Sequence, residues 1–288
     1  MNAITVKSYH ERVNKIVNHI NNNLAEELDI EKLASIGNYS VFHFHRIMRA
    51  ALGEPLGAYI TRLRLETSVQ LLKMTDNPVN EIAFKVGYDT PSSFNKAFKK
   101  RFGFSPGEYR ENTSRILELN KTTFKLNAMK CLKSLTPKIK TVTAKKLIYA
   151  QSVGSYDKSS KQAWDKVCAY AAANRLFGFR TEFIGISYDD PKITESDKLR
   201  YDACLTVSKT VKPEGEIGFR EMPDGKYAVF THTGPYEFFQ DSYNYIFGQW
   251  IGENNIELRD VPCFEKYLNS PDKTKPEKLL TEIYIPVK

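Results

Sequence analysis

Residues 77–110 read NPVNEIAFKVGYDTPSSFNKAFKKRFGFSPGEYR, and their punctuation predicts two short helices held by a tight turn. Asn77-Pro78 starts the first helix, with Val79, Ile82, Ala83 and Val86 on one face. Gly87 suits the left-handed residue such a turn needs. The second helix turns Phe94, Ala97, Phe98 and Phe102 inward, leaving Pro91, Ser92, Ser93, Lys96 and Lys100 outside. The stretch also has an echo. Phe94, Phe98, Phe102, Gly103, Gly107 and Tyr109 repeat Phe44, Met48, Leu52, Gly53, Gly57 and Tyr59 at a spacing of fifty. Val79, Ile82, Ala83 and Tyr88 repeat Ile30, Leu33, Ala34 and Tyr39 at forty-nine. A duplicated helix-turn-helix results, joined by a longer helix over roughly Leu56 to Leu72.

In the first unit Asp29 caps the entering helix, and Asn38 stands where the second unit has Gly87. Ser40 opens the next helix, whose inward stripe reads Val41, Phe44, Ile47, Met48 and Ala51. Phe42, His45, Arg46 and Arg49 then face out. Arginine pairs bidentately with guanine O6 and N7, and an aromatic ring packs on a thymine methyl, so this face suits a major groove. An ordinary basic surface with one stray Phe accounts for the same pattern. Ser92, Ser93, Lys96 and Lys100 form the blander face. The first unit is therefore expected to supply most base specificity and the second mainly phosphate contacts.

The 288 residues suffice for two domains. Composition is that of a folded soluble protein, with 41% hydrophobic and 26% charged residues. No apolar run reaches the ~20 residues that span a membrane, and the N-terminus lacks the regions of a signal peptide. A cytoplasmic location is expected. Cys131, Cys168, Cys204 and Cys263 lie far apart, without metal-ligand or CxxC spacing, so neither metal nor cofactor is implied. The net charge of +8 is uneven: residues 1–113 sum to +3, 114–150 to +8 and 151–288 to −3. That asymmetry suggests a polyanion, double-stranded DNA, as partner of the first half, with a merely solvated basic linker as the bland reading.

On these residues the chain resembles the DNA-binding domain of the AraC/XylS family of transcription regulators over about 8–112. The resemblance implies an all-α domain whose two reading helices enter successive major grooves. It matches the family's base-reading positions to Phe42, His45 and Arg46, then Pro91, Ser92, Ser93 and Lys96. Pro91 departs from the polar residue often found there. The expected domains are 1–113, a basic connector over 114–137, and a second domain over 138–288. The connector has no glycine and scattered apolar residues, so it is not a flexible spacer.

The second half repeats at a period of eighty: VGSY at 153–156 returns as TGPY at 233–236, and RYDACLTV at 200–207 as LTEIYIPV at 280–287. Asp202 thus matches Glu282. Each unit reads as strand, helix, then two strands, which predicts a pseudo-two-fold α+β domain with a ligand cleft at the seam. Gly185 in FIGISY becomes Glu265 in PCFEKY, a carboxylate beside Phe264 and Tyr267. Buried unpaired, it either has a raised pKa or favours a cationic ligand, and Trp250, Tyr245, Phe247, Tyr227 and Tyr284 offer aromatic faces. A lysine pair for Glu265 and a plain aromatic core explain the residues equally well. HTGPYEFF and the run from Pro262 to Lys288 resemble the GyrI-like ligand-binding domain. That resemblance implies a central Glu, here Glu265, in an aromatic cavity for cationic or lipophilic molecules, with Glu282 a weaker second candidate. DNA-binding domain first and this domain second resembles the Rob-type arrangement.

A regulator that senses a small-molecule effector is the leading expectation. The alternatives are a GyrI-like hydrolase using the cavity Glu, and a module for a protein partner such as RNA polymerase. His10, His19, His43 and His45 lie in the DNA-binding half, and His232 is read as structural, so no catalytic set is visible.

Overall fold

The computed structural model describes residues 3–259 and 261–288, with the side chains of 3–9 and of Phe42 outside that description. The chain divides into two compact units, one of residues 1–116 with 214–216, the other of 117–213 with 217–288.

The first unit is helical: α1 (Ala3–Asn22), α2 (Ile30–Ile36), α3 (Val41–Leu52), α4 (Leu56–Met74), α5 (Val79–Lys85), α6 (Pro91–Phe102), and the start of α7 (Pro106–Cys131). Asp29 caps α2, its carboxylate accepting from the N–H groups of Glu31 and Lys32 at 3.3 and 3.1 Å. Thr90 caps α6 by accepting from the Ser93 N–H at 3.2 Å. The two turns differ as their residues require. Asn38 takes φ +51°. Gly87 takes φ +85°, and a Cβ there would stand 2.4 Å from the Leu24 carbonyl oxygen, so conformation and space both demand glycine. Ile16 and Ile20 of α1 pack with Leu33, Phe44, Met48 and Leu63 in the core of the first repeat. In the second, Phe94 contacts Phe98 at 5.6 Å between centroids, and Phe98 contacts Tyr109 at 5.5 Å. Arg62 of α4 is buried between Glu54 (2.8 Å) and Glu66 (3.2 Å), so its charge stays paired inside the helix bundle.

The phrase shared by the repeats, Gly-x-x-x-Gly-x-Tyr, ends in different chemistry. At Ser105-Pro-Gly-Glu108 it builds a capping box for α7: the Ser105 N–H donates to Glu108 at 2.7 Å, and the Glu108 N–H to Ser105 Oγ at 3.3 Å. The first repeat has Pro55 and Ala58 at the places of Ser105 and Glu108, so it cannot build the box, and its own acid, Glu54, accepts from Arg62 instead. The basic connector is not a separate segment as far as Cys131: α7 runs through it, and its residues Phe124 and Ala128 pack into the core of the second unit.

The described residues of the second unit form one antiparallel sheet of eight strands: β1 (Lys138–Val142), β2 (Lys145–Val153), β3 (Phe183–Ser187), β4 (Arg200–Thr206), β5 (Ile217–Met222), β6 (Gly225–Thr233), β7 (Phe264–Tyr267) and β8 (Leu280–Pro286). Their order is β1-β6-β8-β7-β3-β4-β2-β5. The period of eighty runs through all of it, and the pseudo-two-fold falls between β3 and β7, where Gly185 pairs with Glu265. Two corrections follow. Each half has a further strand ahead of the expected set, and those strands are exchanged, β1 pairing with β6 and β5 with β2. KIKTV of β1 hides its strand character because it is a Lys-rich edge with four of five residues at least partly exposed. The seam is also a closed strand pair, not an open cleft.

One sheet face carries the helices. Over the first half lies α8 (Tyr156–Ala173); over the second, α9 (Phe239–Tyr245) runs into a π-helical turn at Ile246–Trp250. The other face packs Tyr149, Tyr227, Phe264 and Tyr284 into a core of their own.

Candidate functional site

The candidate DNA-facing residues lie on α3 and α6. Phe44 and Met48 are fully buried and Ile47 partly so, which turns His45, Arg46 and Arg49 to solvent. Val41 and Ala51, expected inside, are exposed, because Phe44 and Met48, with Ile47 and Leu52 partly buried beside them, make the contact with the core. The Phe42 side chain lies outside the described residues. On α6, Ser92, Lys96 and Lys100 are exposed and Pro91 is half-buried. Ser93 is exposed but engaged: its hydroxyl donates to the Thr90 carbonyl at 2.8 Å and takes the Thr90 hydroxyl at 3.0 Å. Its first duty is therefore the helix start.

Glu265 occupies the helix-covered face at the pseudo-two-fold and is 1% exposed. Its Oε1 accepts from the Tyr243 hydroxyl of α9 at 2.5 Å. Its Oε2 is buried and has no hydrogen-bond partner among the described residues. Burial pushes the carboxyl up to about 7, against the Tyr243 hydrogen bond, which favours the charged form. Around it stand Tyr201 and Tyr267, whose hydroxyls meet at 3.1 Å, with the Trp164 Nε1–H donating to Tyr201 at 3.1 Å. Trp164 and Tyr236 close on the Tyr267 ring at 5.6 and 5.4 Å between centroids. Gly185 is the residue that lets this box exist: a Cβ there would stand 2.5 Å from the Tyr201 hydroxyl and 2.8 Å from that of Tyr267. The arrangement is a buried carboxylate in an aromatic enclosure, suited to hold a cation by charge and by ring faces.

The other sequence candidates fall elsewhere. Phe247 stacks on Tyr243 at 6.0 Å and so borders the enclosure. Trp250 and Tyr245 share its side of the sheet but belong to the core with Phe230 and Ile283. Tyr227, Tyr284 and Glu282 lie on the opposite face, since strand residues alternate and Phe264, not Glu265, shares their side. There Glu282 pairs with Lys140 at 2.7 Å and accepts from the Tyr284 hydroxyl at 2.7 Å. Its pseudo-symmetric mate Asp202 pairs with Arg220 and accepts from Tyr188 and Gln151. Sequence reading missed Tyr243, Tyr201, Tyr236 and Trp164. Among these, Tyr236 was visible in TGPY as the mate of Tyr156 in VGSY. Among the described residues no cluster of His, Cys, Asp and Glu could hold a metal ion, and no helix is long and apolar enough to cross a membrane.

These two features define a class: a helix-turn-helix DNA-binding domain joined to a small-molecule-binding domain. Residues 33–112 match a helix-turn-helix domain family, and residues 135–288 match the GyrI-like small molecule binding domain. The chain belongs to the GyrI-like family and carries an AraC-type domain before it. It is 26% identical over 282 residues, 92% of this chain and 94% of the relative, to the transcriptional regulator Rob of Salmonella typhimurium. It is 30% identical over 122 residues to the regulator YbfP of Bacillus subtilis, covering 42% of this chain and 41% of the relative. It is 36% identical over 107 residues to the activator RclR of Escherichia coli, covering 37% and 38%. The chain thus spans about two fifths of YbfP and RclR and nearly all of Rob. These relatives are transcriptional regulators by name, and the chain is a DNA-binding transcription regulator of the AraC/Rob type.

Proposed function

We propose that the two helix-turn-helix units read successive major grooves of one duplex, and that the Glu265 enclosure takes a cationic, lipophilic effector. The DNA reading is supported by the exposed His45, Arg46 and Arg49 over a fully buried Phe44 and Met48. Specific contacts come from this face, and Ser92, Lys96 and Lys100 act mainly on phosphates.

The observation that carries the effector reading is the buried Glu265 Oε2, which has no hydrogen-bond partner among the described residues. A carboxylate in that state is costly to charge, and a cation removes the cost. Because Glu265 is 1% exposed, with Tyr243 held against it, entry requires the covering helix to yield. The test is calorimetric titration of the full chain with tetraphenylphosphonium at pH 8. Binding that Glu265→Gln weakens at least tenfold is expected; binding unaffected by the substitution removes Glu265 from the site. The domain as a module for a protein such as RNA polymerase gains weight if no cation binds.

A further inference from the structure

The pseudo-two-fold is broken at a second position beside Glu265. Tyr201 on β4 and Thr281 on β8 are eighty residues apart and occupy matching places. In the first half Tyr201 lies diagonally across from Gly185, and the space that glycine leaves is filled by the Tyr201 hydroxyl. In the second half Thr281 lies diagonally across from Glu265 on the same sheet face. The duplication has exchanged a glycine and a large ring for a carboxylate and a small hydroxyl.

That hydroxyl is orphaned. Thr281 is fully buried, and its Oγ1 has no hydrogen-bond partner among the described residues. Its cross-strand neighbours are Tyr267 and His232, and both have spent their polar atoms elsewhere. The Tyr267 hydroxyl meets Tyr201. The His232 Nε2–H donates to the Pro235 carbonyl at 3.2 Å, so its Nδ1 accepts from the Ser242 hydroxyl at 2.9 Å. Over this floor the rings of Tyr267, Tyr236, Phe239 and His232 run in successive contact at 5.4, 5.4 and 4.7 Å. Two buried polar atoms without partners, one anionic and one neutral, thus lie on neighbouring strands beneath a run of aromatic rings.

Resting on the reading of Glu265 as a cation site, we infer that Thr281 is a second polar anchor, so that the effector is a protonated amine bearing a hydroxyl, ether or amide group a few bonds from the nitrogen. A threonine hydroxyl donates and accepts, and satisfying it recovers the penalty a bare cation leaves in place. Site and ligand class together differ from those of a lipophilic cation alone, which uses Glu265 and the rings but leaves Thr281 unsatisfied.

The experiment uses the full chain and a matched pair of probes, the aryl amino alcohol propranolol and its deoxy analogue, titrated by calorimetry. Wild type is expected to bind the amino alcohol about tenfold tighter than the deoxy compound. Thr281→Val should erase that preference and leave the deoxy compound untouched, Thr281→Ser should keep it, and Glu265→Gln should weaken both. A Thr281→Val variant that weakens both probes alike, or neither, or a wild type without preference, overturns the second anchor while the Glu265 reading stands. No binding of either probe, or no effect of Glu265→Gln, overturns both.

Discussion

In the helical unit the two repeats differ where they meet water. Under both lies an apolar core, around Phe44 and Met48 in one and Phe94 and Phe98 in the other, while His45, Arg46 and Arg49 of the first are replaced at the spacing of fifty by Asn95, Lys96 and Lys99 in the second. In the sheet unit the divergence that matters is sealed from water: Gly185 and Tyr201 in one half face Glu265 and Thr281 in the other. The contrast follows from what each partner requires. A duplex is read from outside, so its readers change on the surface while the core is kept. On the proposed reading a small ligand is held by desolvated groups, so its site is made by changing the core and accepting the cost of an unsatisfied carboxylate.

The largest expected effect tests the buried side of this contrast. Glu265→Gln should cost a monocation such as tetraphenylphosphonium about 2–5 kcal/mol of binding at pH 8, measured by calorimetry, and leave a neutral isostere unchanged. Loss for both compounds would make the change one of shape and not of charge.

Next is pH. Because burial raises Glu265 to about 7, the folded protein keeps a proton that the unfolded chain releases near the ordinary carboxylate range. Its contribution to stability is whole below that range and is lost as pH rises through about 7. Unfolding free energy without ligand should therefore fall by a few kcal/mol between pH 4.5 and pH 8, beyond what Glu265→Gln shows over the same span. Cation affinity should rise through the same interval, since the carboxylate is the binding form. Parallel pH profiles for wild type and variant would contradict the buried-acid reading.

On the surface side, Arg46→Ala should cost about 1–3 kcal/mol on a specific DNA site and far less on unrelated sequence, by gel shift or anisotropy. Equal losses would make Arg46 a phosphate contact and bring the two repeats closer in role. The smallest effect belongs to Lys100→Ala, which should lower the slope of log K against log salt by about 0.9 and leave sequence preference alone. A change in preference would move Lys100 among the base readers.

Much of this was legible in the chain. Asn38 and Gly87 mark the turns because few residues accept φ +51° and +85°, and that preference is local. Phe44, Met48, Phe94 and Phe98 declare a buried face by helical spacing. Glu265 stood out because a duplicated sequence makes a glycine-to-glutamate change visible. Tyr227 and Tyr284 are grouped with it by aromatic character, and Glu282 as a second carboxylate, yet strand alternation puts all three on the other face, and the strand register that settles this is a long-range property. Tyr243 was hidden because its role depends on α9 packing over β7.

By itself, then, the sequence determined the two duplications, the exposed basic face of α3 and the place where a glutamate replaces a glycine between the repeats, all of which rest on local periodicity or on comparing one repeat with the other. Only the tertiary structure decided that β1 and β5 exchange partners, that the seam is closed, and that Oε2 of Glu265 and Oγ1 of Thr281, on one face, are both left without partners among the described residues. Pairing, closure and satisfaction depend on which distant strands and helices meet, and no local pattern encodes that meeting.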